Sequence, residues 1–247
     1  MSVPELSVVI PAFNEALRLP ATLAQIREHL AGGSFEIVVA DDGSTDGTAE
    51  RAREAGGDRL RVIRSERNRG KGHAVRHGML AAQGAQRLMT DADLSTPIEE
   101  LPRLLARARE GFEVVIASRA LTGSRIEVRQ PWYRESVGRA FNLLVRALLL
   151  PGLHDTQCGF KLFSSAAAND VFAATRLDGF CFDVEALVIA RRRGYRIAEL
   201  PVTWRNDAAT RVSSLRGFLA FLDLARIRWN AWRGRYERSR QLPAAPL

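Results

Sequence analysis

Glu36-Ile37-Val38-Val39-Ala40-Asp41-Asp42-Gly43-Ser44 decides the fold. A strand-forming run ends abruptly in two carboxylates, a glycine and a hydroxyl. Such an unbroken apolar run suits a strand covered on both faces. The same pattern recurs on either side. Leu6-Ser7-Val8-Val9-Ile10 reads as a buried strand closed by Pro11 and followed by Asn14-Glu15. Leu60 to Ile63 reads as a third strand. Arg87-Leu88-Met89-Thr90 leads a fourth to its end at Asp91, and Val114 to Ala117 runs into Ser118-Arg119. Helical patterns fill the gaps: from Pro20, with Leu23, Ile26, Arg27 and Leu30; from Asp46; from Gly72 to Gln83; and from Pro97 to Glu110. In the third of these, Ala74, Gly78, Ala81 and Ala82 permit close packing on a sheet. Strand–helix alternation with short connections predicts an α/β fold, a doubly wound, mostly parallel sheet with helices on both faces. In such sheets ligands bind at the carboxyl ends of the strands. The polar clusters Asn14-Glu15, Asp41-Asp42, Asp91-Ala92-Asp93 and Ser118-Arg119 all fall there.

From Leu121 the alternation gives way. Arg125 to Gln130 reads as a polar loop and Trp132 to Leu150 as an apolar helix. The segment Asp155 to Phe163 follows, then helices at 166–174 and 183–193 and a strand at 197–202. A C-terminal helix is expected from about Leu215 to Arg235. The expected organisation is one domain over 1–214 with a basic amphipathic helix and tail over 215–247.

The chain has 247 residues, 46% hydrophobic and 26% charged, enough for a substantial core. No run of 18 apolar residues exists to span a bilayer, and Met1-Ser2-Val3-Pro4-Glu5 lacks the features of a signal peptide. A cytoplasmic protein is the expectation. Cys158 and Cys181 have no metal-ligand spacing and read as reduced, partly buried thiols. The net charge is +8, and seven arginines between Arg216 and Arg240 stand against Asp223 and Glu237. The basic character is therefore mostly a tail property, suited to nucleic acid, an anionic membrane or a solvated helix face. Of 36 basic residues only Lys71 and Lys161 are lysine, both in glycine-flanked segments. A compact ammonium differs from a planar guanidinium, so some sites resist exchange.

Asp91-Ala92-Asp93 projects two hard oxygen ligands from one strand end. That suits a divalent cation bridging a diphosphate, although an acidic pair can also be a solvated turn or a helix cap. Val8-Val9-Ile10-Pro11-Ala12-Phe13-Asn14-Glu15, Val38 to Asp46, Asn68-Arg69-Gly70-Lys71-Gly72 and Asp91-Ala92-Asp93 resemble, in this order, the motifs of family-2 glycosyltransferases with the GT-A fold. Ala117-Ser118-Arg119, Asp155-Thr156-Gln157-Cys158-Gly159-Phe160-Lys161-Leu162-Phe163 and Phe182-Asp183-Val184-Glu185 resemble the dolichyl-phosphate glucose synthase branch. The resemblance covers about residues 6 to 214. Two departures stand out: many relatives carry a membrane-spanning segment before the first strand, and Thr210-Arg211 replaces a frequent Ser-Lys.

The resemblance implies an inverting enzyme that moves a hexose from a nucleotide sugar to a polyprenyl or dolichyl monophosphate. UDP-glucose is the favoured donor and GDP-mannose the alternative. It implies nucleotide-sugar contacts at Pro11, Ala12, Asn14, Glu15, Asp41, Asp42, Gly43, Lys71, Asp91 and Ala92. Asp91 and Asp93 would hold Mg2+ or Mn2+, with Asp93 the main ligand. Arg119 and Arg134 would clamp the acceptor phosphate, with Lys161 and Arg211 secondary, and Gln157, Asp183 and Glu185 would orient the donor sugar or a helix. Asp93, Arg119 and Arg134 are thus the candidate catalytic residues. The physical chemistry agrees: Asp41 can accept from a uracil imide, and Lys71 at a helix N-terminus can face a diphosphate. Guanidinium pairs grip phosphate bidentately. Asp42 and Gly43 would set a turn that lets backbone approach the ribose. His73, His77 and His154 read as structural or exposed.

Rival readings are weaker. Asp91-Ala92-Asp93-Leu94-Ser95 fits an aspartyl-phosphate phosphatase pattern, but four strands precede it. No Gly-x-Gly-x-x-Gly follows strand one to support hydride transfer. A non-catalytic sugar-nucleotide sensor, or a nucleic-acid binder using Arg228, Trp229 and Trp232, is the other class. The preferred partners are a nucleotide sugar, a lipid phosphate and the cytoplasmic face of a membrane, with no nucleic acid. Phe218, Phe221, Leu222, Ala225, Trp229 and Trp232 share one helical stripe that suits either a bilayer interface or the protein's own sheet.

Overall fold

The structure, a computed structural model, describes residues 3–128, 132–206 and 214–237, the backbone alone at 132–134 and 214–219. The chain begins with β1 (Leu6–Ala12), α1 (Leu19–His29), β2 (Phe35–Asp41), α2 (Thr48–Gly56), β3 (Leu60–Arg64) and α3 (Lys71–Ala81). It continues through β4 (Gln86–Thr90), a 3-10 turn at Ile98–Glu100, α4 (Leu101–Arg109), β5 (Val114–Ser118) and β6 (Arg125–Val128). Then come α5 (Trp132–Leu148), β7 (Phe160–Ser164), α6 (Ser165–Ala174), α7 (Phe182–Arg192), β8 (Ile197–Pro201), β9 (Thr203–Arg205) and α8 (Ser214–Trp232).

Seven strands form one sheet in the order β3-β2-β1-β4-β7-β5-β8, parallel except for β7. The mostly parallel α/β fold expected from the alternation is present. Successive residues of each strand serve opposite faces. Val9, Val38, Met89, Val114 and Ile116 join α3, α5, α6, α7 and α8 in one core. Val8, Ile10, Ile37, Val39, Leu88 and Val115 join α1, α2 and α4 in the other. Gly78 brings α3 onto the sheet, since a Cβ there would lie 2.5 Å from Val9 Cγ1. Both cysteines are buried free thiols.

Three expectations need correction. The fourth strand ends at Thr90, so Asp91 already belongs to the following turn. The polar stretch from Arg125 contains β6, which pairs with β9 beside the main sheet. Phe160–Ser164, most of it in the segment Asp155 to Phe163 where no strand is expected, is β7 and lies antiparallel between β4 and β5. Lysine is unfavourable inside a strand, and Lys161, the second residue of β7, disguises it. A buried carboxylate neutralises it, as described below. Ser164 ends this strand and caps α6 by accepting from the Ala167 N–H at 3.2 Å.

The C-terminal helix presents two apolar faces. Leu224, Ile227 and Ala231 are buried in the core. Of the anticipated stripe, Phe221, Leu222, Trp229 and Trp232 are exposed, Trp232 by 74%, rather than packed on the sheet. The side chain of Phe218 lies outside the described structure. Among the described residues no helix is long and apolar enough to cross a membrane.

Candidate active site

The carboxyl ends of β1, β2 and β4 carry the first part of the site. Asn14 and Leu94, just beyond β1 and β4, are the two non-glycine residues with positive φ among those described, at 56° and 44°. Left-handed backbone costs about 1–2 kcal/mol per residue, and its concentration at one edge is characteristic of a functional rim. Asn14 is held by the turn after β2. Its N–H donates to Ser44 Oγ at 2.9 Å, and its Oδ1 accepts from the Thr45 N–H at 3.0 Å. The Glu15 N–H donates to Thr48 Oγ1 at 2.8 Å and the Glu15 carboxylate lies 3.5 Å from Arg18. Pro11 and Ala12 lie within buried β1, and the Ala12 carbonyl accepts from the Asp42 N–H at 2.9 Å.

Asp41 is 1% exposed. Its Oδ1 accepts from the Ser44 N–H at 3.0 Å, and its Oδ2 receives no hydrogen bond although Arg64 Nε stands 3.3 Å away. A buried carboxylate oxygen without a donor is costly unless something supplies one. Asp42 Oδ2 accepts the N–H groups of Arg69 and Gly70 at 2.9 and 2.6 Å, which ties the glycine loop to β2. Gly43 has φ +75°, and a Cβ there would lie 2.5 Å from the Arg67 carbonyl carbon. One close approach it permits is to the chain's own Arg67 backbone.

Lys71 opens α3 and reaches Asp91, with Nζ 2.6 Å from Oδ1. Burial pushes its pKa down, but Asp91 first, then Asp183 and Asp93, outweigh that and hold it above 10.5. The other side of the Asp91 carboxylate lies where a Cβ on Gly159 would be, 2.0 Å from Oδ2. Asp93 is oriented by the Ser95 N–H, which donates to Oδ1 at 2.9 Å, and Arg18 Nη1 lies 3.9 Å from Oδ2. The Ala92 carbonyl accepts from Thr22 Oγ1 at 2.6 Å, fixing the middle of the tripeptide. Among the described residues no three His, Cys, Asp or Glu side chains converge on one metal position. Two carboxylates at one rim still fit a magnesium-like ion, which takes one or two carboxylates and completes its shell with phosphate and water.

Beyond β5, Arg119 donates from Nε to Asp155 Oδ2 at 2.6 Å and from Nη2 to Oδ1 at 2.9 Å. Its own backbone N–H also donates to Oδ2. The guanidinium lies over the Trp204 ring at 5.4 Å. Burial pushes the Asp155 carboxyl up, but Arg119 outweighs it and holds the pKa below 3.8. Glu199 on β8 fixes this corner by accepting the N–H groups of His154 and Asp155. The fork expected to grip an acceptor phosphate is thus already engaged on one edge, and Nη1 lies outside that pair. The Arg134 side chain and all of Arg211 fall outside the described residues.

Lys161 corrects another expectation. It is 1% exposed, and Nζ donates to Asp183 Oδ1 at 2.7 Å and to the Cys158 carbonyl at 2.6 Å. An ammonium so enclosed cannot clamp an acceptor phosphate; it ties β7 to α7. Asp183 is likewise buried, and burial raises its pKa despite Lys161 and Lys71. Glu185 is 0% exposed, and its carboxylate accepts from the 176–177 backbone and from Tyr236. The Gln157 N–H donates to Asp155 Oδ1 at 3.3 Å. Sequence reasoning missed Asp155, Gly159 and Glu199 as supports of the site. The signal for Asp155 was available, a lone acid in the same motif as Gln157.

The chain matches the family model "Glycosyl transferase family 2" over residues 7–172. It is 34% identical to the dolichyl-phosphate beta-glucosyltransferase of Mus musculus, covering 93% of this chain and 78% of the mouse protein. The protein of that name from Saccharomyces cerevisiae is 34% identical, with 81% and 67% covered. Among solved structures, mannosyl-3-phosphoglycerate synthase from Rubrobacter xylanophilus superposes with a TM-score of 0.71 at 20% identity, covering 98% of this chain and 79% of that one. Glucosyl-3-phosphoglycerate synthase from Mycobacterium tuberculosis, in complex with Mn2+, UDP-glucose and phosphoglyceric acid, gives 0.68 at 23% identity, covering 92% and 80%. These two share the fold. By its sequence motifs and their order at the rim of the sheet, the chain belongs to glycosyl transferase family 2 and is a glycosyltransferase.

Proposed function

We propose that this enzyme transfers glucose from UDP-glucose to the phosphate of a polyprenyl or dolichyl lipid, with inversion at the anomeric carbon. The carrying observation is identity of 34% across 93% of the chain to a dolichyl-phosphate beta-glucosyltransferase. The geometry supports each part. Asp41 Oδ2, buried and without a hydrogen bond, suits the imide N–H of uracil. Lys71 at the start of α3 faces the rim where a diphosphate would lie. Mg2+ or Mn2+ held by Asp91 and Asp93 would supply positive charge to the departing diphosphate.

The acceptor phosphate, with a second pKa of about 6, is already anionic near neutral pH. One of its oxygens bonds to the anomeric carbon as the bond to the diphosphate breaks, and UDP leaves. No general base is required, so positioning and charge carry the reaction. Arg119 Nη1, on a guanidinium locked by Asp155, offers an oriented donor to the acceptor phosphate.

A polyprenyl chain stays in its bilayer, so the rim must come to the headgroups. Leu143 and Leu148 on α5 and Phe221, Leu222, Trp229 and Trp232 on α8 make an exposed apolar face. Arg226, Arg228 and Arg233 border it. Apolar side chains flanked by arginine match an anionic lipid surface, such as the cytoplasmic leaflet presents.

A panel of radiolabelled donors with polyprenyl phosphate tests the activity. Label from UDP-glucose is expected in the lipid fraction. Label only from GDP-mannose overturns the sugar assignment, and transfer only to protein or glycan hydroxyls overturns the acceptor.

A further inference from the structure

The last described residues of the chain reach back towards the nucleotide loop. After α8 the backbone turns at Gly234, φ +67°, and places Tyr236 in the core with no exposed surface. Its hydroxyl donates to Glu185 Oε1 at 2.7 Å and accepts from Asn230 Nδ2 at 3.2 Å. Glu185 Oε2 accepts the backbone N–H groups of Arg176 and Leu177, both at 2.8 Å. The neighbouring Asp178 carbonyl accepts the Gly72 N–H at 2.8 Å. The Asp178 carboxylate accepts from Arg76 at 2.5 Å and lies 3.7 Å from Arg69.

Contact between these two loops is close. A Cβ on Gly70 would stand 2.4 Å from the Asp178 carbonyl oxygen, and one on Gly72 would stand 2.5 Å from that of Leu177. Segment 176–178 is therefore the seat on which Gly70-Lys71-Gly72 rests. Lys71 has glycine on both sides, so its direction depends on that seat. Two backbone amides of the seat are held by the buried Glu185 carboxylate, which in turn accepts from Tyr236, while Asp178 meets Arg76 and Arg69.

We infer that Tyr236 is a positioning residue for the nucleotide diphosphate, acting through Glu185 and the 176–178 segment on the loop that carries Lys71. The inference rests on the proposed donor site, which contains Lys71, and it places part of that site's organisation in the turn that follows α8. A buried carboxylate oxygen that loses its donor carries a large penalty. Tyr236→Phe removes that donor while filling the same volume. Glu185 must then reorient or take up a proton, and either response loosens its hold on the two amides.

The test measures binding of UDP and of GDP by calorimetry in the presence of Mg2+, on the full chain. Tyr236→Phe is expected to weaken nucleotide binding about tenfold, equivalent to about 1.4 kcal/mol, and to raise KM for the donor but not for the lipid. Glu185→Ala is expected to do the same. Glu185→Gln keeps a carbonyl for the two amides, although its NH2 reverses the bond to the tyrosine oxygen, and should lose clearly less affinity than Glu185→Ala. Leu224→Ala removes buried packing from α8 without touching Glu185; it should lower Tm and leave nucleotide affinity unchanged.

Unchanged affinity in Tyr236→Phe overturns the inference. So does an equal loss in Leu224→Ala, which would make the effect general loosening. If Tyr236→Phe fails to fold, the two Glu185 variants decide: equal affinities in both overturn it. Wild-type preference for GDP would overturn the proposed donor alone, since the variant-to-wild-type ratio is then read with GDP. Binding of neither nucleotide overturns both.

Discussion

Lys71 and Asp91 meet at 2.6 Å across the rim of the sheet, where α3 begins and β4 has just ended. Both side chains are about a quarter exposed, at 26% and 29%. Pairs this accessible contribute only about 0–1 kcal/mol to stability. The value of the pair lies in where it holds a positive charge. Gly159 leaves room for the carboxylate, the glycine loop aims the lysine, and Asp183 and Asp93 add to the negative field around the ammonium.

Lys71→Met should therefore separate catalysis from folding. Removing one group that meets developing charge costs about 10²–10³ in kcat, while stability should change by less than about 1 kcal/mol. Single-turnover transfer and a thermal melt on the same preparation check both. A variant with full activity would remove Lys71 from the diphosphate site.

Asp93→Asn should abolish turnover with the fold intact. Its Oδ1 keeps the Ser95 N–H in the variant, so the local turn survives. A chelator should mimic the substitution in the wild type, and Mg2+ or Mn2+ should reverse the chelator but not the variant. Paramagnetic detection of Mn2+ binding gives a readout independent of activity. Normal turnover in Asp93→Asn would take the metal away from this carboxylate.

The parts of this architecture that were legible in the sequence are those with short-range grammar. Val38 to Ser44 announces both a buried strand and a polar turn, because burial on two faces demands an unbroken apolar run. β7 escaped because Lys161 interrupts that run, and the partner that makes a buried lysine tolerable, Asp183, lies 22 residues away. Arg119 was legible as an anion-binding group, but its anion inside the fold, Asp155, is 36 residues distant and nothing in the spacing pairs them. α8 shows the same limit. Two apolar stripes run along it, and helical periodicity alone does not say which one the protein keeps for itself.

The Arg119–Asp155 pair predicts a stability signature. Asp155 is 2% exposed at its side chain, so Arg119→Ala leaves a buried charge uncompensated and should cost about 3–5 kcal/mol. The sign of the pH dependence follows from the lowered carboxyl pKa. The folded state holds the proton less tightly than the unfolded chain, so the stabilisation is complete above the ordinary value of 3.8. It is lost as pH falls through the lowered value. Urea unfolding across this acid range should show a steeper loss for the wild type than for Asp155→Asn. Parallel curves would mean that the pair contributes nothing through protonation.

The outward stripe of α8 makes the last prediction. Trp229 and Trp232 stack with centroids 5.1 Å apart and are exposed by 48% and 74%, while Arg233 lies over the Trp229 ring. Trp232 is largely exposed and Trp229 half-buried, and neither belongs to the core, so replacing both with serine should lower Tm only slightly and leave the fold intact. The full-length enzyme should float with anionic liposomes at low salt and be released as salt shortens the Debye length to about 3 Å at 1 M. The double variant should stay behind. It should also retain transfer to a short polyprenyl phosphate in detergent while losing transfer to the same phosphate on a long chain held in a bilayer, because only the second reaction requires the rim to reach the headgroups. If the wild type remains in the soluble fraction at low salt, or if both acceptors suffer equally, the stripe serves something other than the membrane.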